Sequence, residues 1–177
     1  VKVGNPTEYD PANVNALKAI RDNAPASSPL KIRWANDSQI AYWIGVEWSG
    51  MASKKVISLD LIGTNLEALD ISQLTDIQRF FCDLNNLKSL DIRGLNHLVN
   101  FSCSGNKLRF STFFVDSKFS SIKYKTYSPQ DSWTDERTIS LGEIIDFSSE
   151  ASVNGVSTSY TWYRNNLKFE GTNQSGT

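Results

Sequence analysis

One motif in this chain recurs after 21 residues and limits what the chain can fold into. Residues 77–87 and 98–108 both read [I/L]-x-x-F-x-C-x-x-N-x-L, with every anchor residue in register. Because a segment of this length cannot bury its apolar face alone, consecutive repeats are expected to pack against one another. The alternation of apolar positions predicts a short strand in each repeat, and the strands of adjacent repeats should pair in parallel.

The same frame continues on both sides of the two matching repeats. Thr64 stands where the earlier frame would have its asparagine, and Tyr127 stands there in the later frame. Terminal repeats are commonly atypical, so these two departures are interpreted as capping features. The anchors of the outer frames are Val56, Leu59, Leu61 and Leu66 on one side, and Phe119, Ile122 and Tyr124 on the other.

The repeat resembles the leucine-rich repeat, L-x-x-L-x-L-x-x-N/C-x-L, at the short end of its period. It is similar to the 21-residue repeats with a recurring inner cysteine that are found in internalin-like bacterial cell-surface proteins. The resemblance implies an α/β solenoid whose parallel strands form one concave sheet. Asn85 and Asn106 would then satisfy backbone groups at the turns. Cys82 and Cys103 would fill the core as free thiols, since parallel Cβ vectors suit a disulfide poorly.

The segment before the repeats predicts a helix followed by a tryptophan-rich region. Asp10 and Pro11 form a helix start, and an apolar face continues to the end near Asn23. The pattern A-L-x-A-I, Trp, W-x-G-V-x-[C/W] resembles the N-terminal cap of plant-receptor leucine-rich-repeat proteins. Trp48 stands where those caps usually have a cysteine. The rings of Trp34, Trp43 and Trp48 are interpreted as core material, with sugar stacking as the alternative.

Three regions are predicted: an N-terminal cap (1–55), leucine-rich repeats (56–127) and a partial immunoglobulin-like β-sandwich (128–177). The last prediction rests on strand-like runs at 138–141, 144–147 and 159–163, and on Trp162 in the last run. About 100 residues make such a sandwich. We therefore expect residues 128–177 to be completed by strand exchange or self-association.

Composition narrows the class of function. The formal net charge of −1 gives no electrostatic case for nucleic acid, and no apolar run approaches a membrane span. The chain opens at Val1, and we expect an export signal to have been removed. The resemblance implies a secreted or cell-surface location.

No catalytic constellation is found, so the chain is predicted not to be an enzyme and to need no cofactor or metal. His97 is the one histidine, which excludes a multi-histidine metal site, and no nucleotide-binding or nucleophile-elbow motif occurs. Asp70 and Asp91 share one repeat position and are interpreted as turn residues. A Cys82–His97 dyad is disfavoured because the thiol should point inward.

We expect the outward face of the sheet to bind a protein or a glycan. Phe81 is its predicted anchor, because an exposed aromatic ring is typical of interfaces. The alternatives are a structural spacer or cap, and an accessory domain of a larger surface glycan-processing enzyme. The predicted ligand-binding residues are Asp60, Arg79, Phe81, Asp83, Asn100, Ser102 and Lys123.

Overall fold

The computed structural model describes residues 8–50, 52–131, 150, 152–153, 156–157, 162–164 and 167–169. The chain divides into two compact units. One unit comprises Val1–Leu108 and Thr112–Ser132, and the other comprises Arg109–Ser111 and Trp133–Thr177. The finer division at 55/56 and 127/128 stays a prediction.

The helices lie at the N-terminal end of the first unit. Helix α1 spans Pro11–Asn23, and the Asp10 carboxylate accepts a hydrogen bond from the backbone N–H of Asn13 at 3.0 Å. The predicted helix start is therefore confirmed, with proline in the first turn where its missing donor is harmless. Helix α2 is one short turn, Leu30–Arg33. The 3₁₀ segments are Asp37–Tyr42, Phe110–Thr112 and Ser117–Ser121.

The described strands of this unit are β1 (Val46–Trp48), β2 (Val56–Asp60), β3 (Arg79–Phe81), β4 (Leu90–Asp91), β5 (Asn100–Ser102), β6 (Phe113–Phe114) and β7 (Tyr124–Thr126). Five of them form a sheet at its centre, in the order β1-β2-β3-β5-β7. Strand β1 pairs antiparallel with β2, whereas the other three pairings are parallel. A separate two-stranded parallel ladder joins β4 to β6.

The predicted register holds across three strands and then changes. Ser58 pairs with Arg79 and Arg79 with Asn100, each 21 positions apart, whereas Asn100 pairs with Tyr124, which is 24 positions away. Strand β6 and the 3₁₀ segment Ser117–Ser121 lie in this longer return. The fourth predicted frame is therefore wrong by three residues.

The predicted fold class is wrong. The first unit is a small mixed α/β domain with a mostly parallel sheet, and the described residues show neither a solenoid nor a concave leucine-rich-repeat sheet. One apolar core joins residues of α1, the tryptophan region and the strands. A 21-residue return brings short strands into register in either architecture, so the periodicity did not decide between them. The antiparallel β1 and the longer return before β7 both break the expected one-dimensional repetition.

The described strands of the second unit form two antiparallel pairs. β8 (Ser152–Val153) pairs with β9 (Val156–Ser157), and β10 (Trp162–Arg164) pairs with β11 (Leu167–Phe169). These pairs do not amount to the predicted immunoglobulin-like sandwich, which needs two packed sheets. The runs predicted at 138–141 and 144–147 lie outside the described residues. Completion of this region by strand exchange or self-association stays a prediction.

Candidate recognition surface

The outward sides of β2, β3 and β5 carry two rows of side chains, which we call the sheet face. Outward residues alternate with buried ones, because successive strand side chains point to opposite sides. Leu59, Phe80 and Phe101 occupy the buried side between the two rows. The first row is Ser58, Arg79 and Asn100, and the second is Asp60, Phe81 and Ser102. Ser58 is itself buried, so the accessible part of the face consists of the other five residues.

Arg79 is held in place by two neighbouring strands. Its Nη2 atom lies 2.5 Å from the carboxylate of Glu47 on β1, and its Nε donates to the Ser58 hydroxyl at 3.4 Å. The side chain remains 42% exposed. The guanidinium therefore has a fixed position and still offers N–H donors to a ligand. Sequence reasoning missed Glu47, which is 32 residues away in the chain.

Asp83 continues the sheet face beyond β3. Its carboxylate accepts hydrogen bonds from the Ser102 hydroxyl and, at 2.9 Å, from the backbone N–H of Ser104. Both bonds cross to the next strand and the turn that follows it. The predicted neighbours Asp83 and Ser102 are thus brought together, and the carboxylate is oriented before any ligand arrives.

Phe81 is only half-exposed, which is less than the sequence interpretation assumed. It lies in register between Asp60 on one side and Ser102 on the other. Asp60 is exposed, and its carboxylate accepts a hydrogen bond from the backbone N–H of Ile62 at 3.0 Å. The ring is therefore surrounded by polar side chains on adjacent strands, and Asn100 and Ser102 are also half-exposed.

Lys123 does not occupy the sheet row in which it was predicted. The three-residue change of register places Tyr124 beside Asn100, and Lys123 comes just before the strand. The Lys123 ammonium lies 5.0 Å from the centre of the Tyr124 ring, a cation–π distance. Tyr124 is 58% exposed and is the aromatic residue that sequence reasoning missed on this side of the sheet. The signal available was the extra length between the last two strands.

Buried amides join the turns that follow the strands. Asn85 donates to the carbonyls of Leu61 and Cys82 at 2.7 and 3.0 Å, and its oxygen accepts from the N–H of Leu66 at 2.8 Å. Thr64 adds a hydroxyl donated to the Leu61 carbonyl at 2.7 Å. The predicted role of Asn85 in satisfying turn and neighbour backbone groups is confirmed.

Asn106 repeats this arrangement one strand further along. It donates to the carbonyls of Cys82 and Cys103 at 2.9 and 3.0 Å and accepts from the N–H of Leu87 at 3.0 Å. Its side chain is fully buried. We call the series Asn85, Asn106 and Gln130 the amide ladder; Thr64 stands before it with a hydroxyl in place of the amide.

Gln130 is the last member of the amide ladder, although Tyr127 was expected there. Gln130 donates to the carbonyls of Cys103 and Tyr127 at 2.9 and 2.6 Å, and accepts from the N–H of Leu108 at 3.2 Å. Each of these partners is equivalent to a partner of Asn106 when the residues are aligned by strand pairing instead of by a constant 21-residue spacing. The assignment of the Asn-equivalent position to Tyr127 was wrong because it assumed a constant 21-residue spacing.

Cys82 and Cys103 are free and buried, as expected, and they directly follow the adjacent strands β3 and β5. The N–H of Cys82 donates to the carbonyl of Ser102 at 2.9 Å, which places the two cysteines beside each other. Burial raises the pKa of the Cys103 thiol to about 12, and burial also raises that of Cys82 well above its ordinary value. Both side chains therefore act as neutral core fillers at physiological pH.

The three tryptophans have structural partners. Trp34 and Trp43 are buried and stack with ring centres 4.9 Å apart, and their N–H groups donate to the carbonyls of Ile44 and Asn36. Trp48 is partly buried and meets Tyr9 edge-on at 4.6 Å. Burial removes Trp34 and Trp43 as sugar-stacking platforms and agrees with their interpretation as core residues.

Asp70 and Asp91 have turn roles rather than catalytic ones. Their carboxylates accept from the backbone N–H groups of Ser72 and Arg93 at 2.9 and 3.0 Å. The Ser72 N–H lowers the pKa of Asp70, and the Arg93 guanidinium lowers that of Asp91. His97 is exposed, so it does not face the buried Cys82 thiol.

A groove of about 610 Å³ lies between α1 and residues 68–73. Ala12, Ala16 and Ala19 form part of its floor, and Asp70 is its one carboxylate. A single carboxylate oriented by a turn provides no acid–base pair. Within the described ranges, no cluster of three or more metal-ligating side chains is present. None of the helices in this part of the chain is long and apolar enough to cross a membrane.

The sheet face can therefore offer hydrogen bonds, one fixed guanidinium, two oriented carboxylates and partly exposed aromatic rings. These groups suit binding. The sequence matches no protein-family model and no curated protein.

Proposed function

We propose that this chain is a non-enzymatic recognition module that binds a partner protein through the sheet face. The observation that carries this proposal is the arrangement around Arg79. The ion pair with Glu47 and the hydrogen bond to Ser58 together orient a multidentate donor, which lies two residues from Phe81 on the same side of β3. Arginine and aromatic residues that are held in place before binding are typical of interface hot spots.

The chemistry of the sheet face favours a protein over other ligands. Arg79 and the two carboxylates of Asp60 and Asp83 give a mixed charge, which suits a partner with complementary charges of both signs. A phosphate backbone would instead need a predominantly basic surface. A glycan is the second ligand class, and the polar residues around the Phe81 ring support its inclusion in the test.

The test compares two double variants, each of which removes an arginine and an aromatic ring at a different sheet. Arg79→Ala/Phe81→Ala removes the proposed centre. Arg93→Ala/Phe114→Ala removes a comparable pair, because Arg93 lies 5.1 Å from the Phe114 ring and is ion-paired with Asp91. Both double variants and the unaltered chain should be screened as bait on arrays of secreted and surface proteins and on a glycan array.

We expect binding of an array protein to fall by at least about tenfold in the first variant and to persist in the second. Equal loss in both variants, with both folded by circular dichroism, would refute the sheet face as the site. Hits confined to the glycan array and lost with the first variant would replace the protein partner by a glycan. A spacer role predicts no interaction that depends on either pair.

The location and the wider context are parts of the same proposal. An exported protein is proposed from the repeated sequence motif alone, because the solenoid that the same resemblance implied is not found in the described residues. An accessory role beside a catalytic domain is the competing proposal, and the full open reading frame would distinguish the two.

A further inference from the structure

Three exposed aliphatic side chains lie at the end of the sheet where β2 and β3 finish. Ile44, Ile62 and Leu84 are 65%, 41% and 67% exposed, and we call them the aliphatic patch. Backbone hydrogen bonds join the three segments: Asp60 donates to the carbonyl of Gly45 at 2.7 Å, and Gly63 donates to that of Asp83 at 3.0 Å. The patch therefore adjoins the sheet face.

Leu84 has an unusual backbone conformation for its side chain. Its φ is +55°, and the residues in the same place in the neighbouring turns are Gly63 and Gly105, each with φ of +61°. The left-handed region brings the Cβ of an L-residue close to the following carbonyl oxygen, so a bulky residue is disfavoured there. Glycine would fit this turn better.

Packing within the domain buries only about a third of the leucine. Two thirds of its surface is open to solvent, and a Cβ added to Gly105 would lie 2.8 Å from the Leu84 Cδ2 atom. The Leu84 side chain therefore lies against Gly105, at a place where the neighbouring turn has no side chain. A strained and exposed apolar residue is the combination expected of a contact made outside the domain.

The charges beside the patch indicate the kind of partner. Asp60 and Asp83 lie next to Ile62 and Leu84, and residues 59–66 and 81–87 contain no lysine or arginine. Both carboxylates accept backbone N–H groups at 2.9 to 3.0 Å, which fixes their orientation. A partner that presents an apolar side chain flanked by lysine or arginine would complement these charges.

We infer that Leu84 is the apolar anchor for a basic, partly hydrophobic segment of a partner protein. This inference rests on the proposed function, and it names the partner chemistry and the residue that selects it. The carboxylates of Asp60 and Asp83 would receive the flanking cations, and Ile62 would extend the apolar contact.

The first experiment separates a binding role from a structural one. Leu84→Gly should raise the melting temperature by a few degrees, because glycine relieves the left-handed strain. The same change should weaken binding of peptides selected on the unaltered chain by at least about tenfold. Ile32→Ala, at a helical site that is 84% exposed, is the control and should leave that binding unchanged.

The probe is a phage-displayed library of random 12-residue peptides. Peptides selected on the unaltered chain should be enriched in lysine or arginine next to leucine, isoleucine or phenylalanine. No selection, enrichment of acidic peptides, or full retention by Leu84→Gly would overturn the inference. A lower melting temperature for Leu84→Gly would also overturn it, since the leucine would then be a packing residue. The proposed function would survive these outcomes if an array protein still required Arg79 and Phe81.

Discussion

The two sides of the same strands follow different rules. On the inner side, Phe80 and Phe101 repeat, and the amide ladder repeats with the same set of backbone partners. On the outer side, the residue changes at every step, from Asp60 to Phe81 to Ser102. Burial allows few solutions at the inner positions, whereas exposed positions are free to differ. Residues on the outer side can therefore change under selection for binding a partner.

The largest predicted difference in stability between the inner and outer sides is the difference between Asn106 and Asn100. Asn106→Ala should lower the free energy of unfolding by about 3–4 kcal/mol, because it removes three buried hydrogen bonds and leaves their partners unpaired. Asn100→Ala, on the sheet face, should change it by less than about 0.5 kcal/mol. Urea denaturation measures both values. Similar costs for the two variants would abolish the distinction between the two sides.

The buried thiols should make the inner side sensitive to alkaline pH. The pKa of Cys103 rises from 9.0 to about 12 on burial, so its stabilising contribution is complete below pH 9 and is lost as pH rises toward the folded value. The unaltered chain should have a higher free energy of unfolding than Cys103→Ala at pH 8. This difference should decrease by about 2 kcal/mol between pH 8 and pH 10.5, at about 1.36 kcal/mol per pKa unit.

Denaturation in urea with a reducing agent, at both pH values, measures this change. The ionisation of tyrosines and lysines cancels in the difference between the two chains. A difference that stays constant with pH would show that the thiol is not buried as described.

Gln130, the last member of the amide ladder, should contribute less to the free energy of unfolding than Asn106. Gln130 is half-buried, whereas Asn106 is fully buried, so water can replace part of what its amide provides. Gln130→Ala should cost about 1–1.5 kcal/mol, and the exposed Gln78→Ala should cost less than about 0.5 kcal/mol. Thermal unfolding monitored by circular dichroism compares the two. Equal effects would remove Gln130 from the ladder.

The smallest predicted effect belongs to the partly exposed carboxylate of Asp116. Asp116 accepts from the backbone N–H groups of Gly94 and Lys118 at 2.9 and 2.8 Å, and these bonds lower its pKa. Its contribution is present above its ordinary pKa and is lost as pH falls through the folded value. Asp116→Asn should cost about 0.5 kcal/mol at pH 7, discounted for solvent screening, and nothing near pH 2. A cost that is independent of pH would contradict this reasoning.

The sequence predicted the local features of the fold well and its class poorly. The capped helix, the inward cysteines and the 21-residue pairing of β2, β3 and β5 follow from spacing and turn chemistry. The solenoid prediction failed because the same pairing also fits a mixed sheet with an antiparallel edge strand. No local signal indicated that β1 would pair in that direction.

For the candidate site, sequence periodicity identified which residues face outward on β3 and β5, including Arg79 and Phe81. Sequence periodicity could not identify the residues that contact and orient these side chains. Glu47 reaches Arg79 across the intervening strand β2, and Thr126 takes the place beside Ser102 that was predicted for Lys123, because the preceding return has three additional residues.

The sequence by itself determined the inner side of β3 and β5, because the buried phenylalanine, cysteine and asparagine recur there at a constant spacing of 21 residues. Only the tertiary structure decided the pairing direction of β1, the position of β7 and the partner of Arg79. These features depend on contacts between segments that are distant in the sequence. The spacing of residues within one segment carries no information about the free energy of such contacts. The same reason explains why Leu84 is unremarkable in the sequence and strained in the fold.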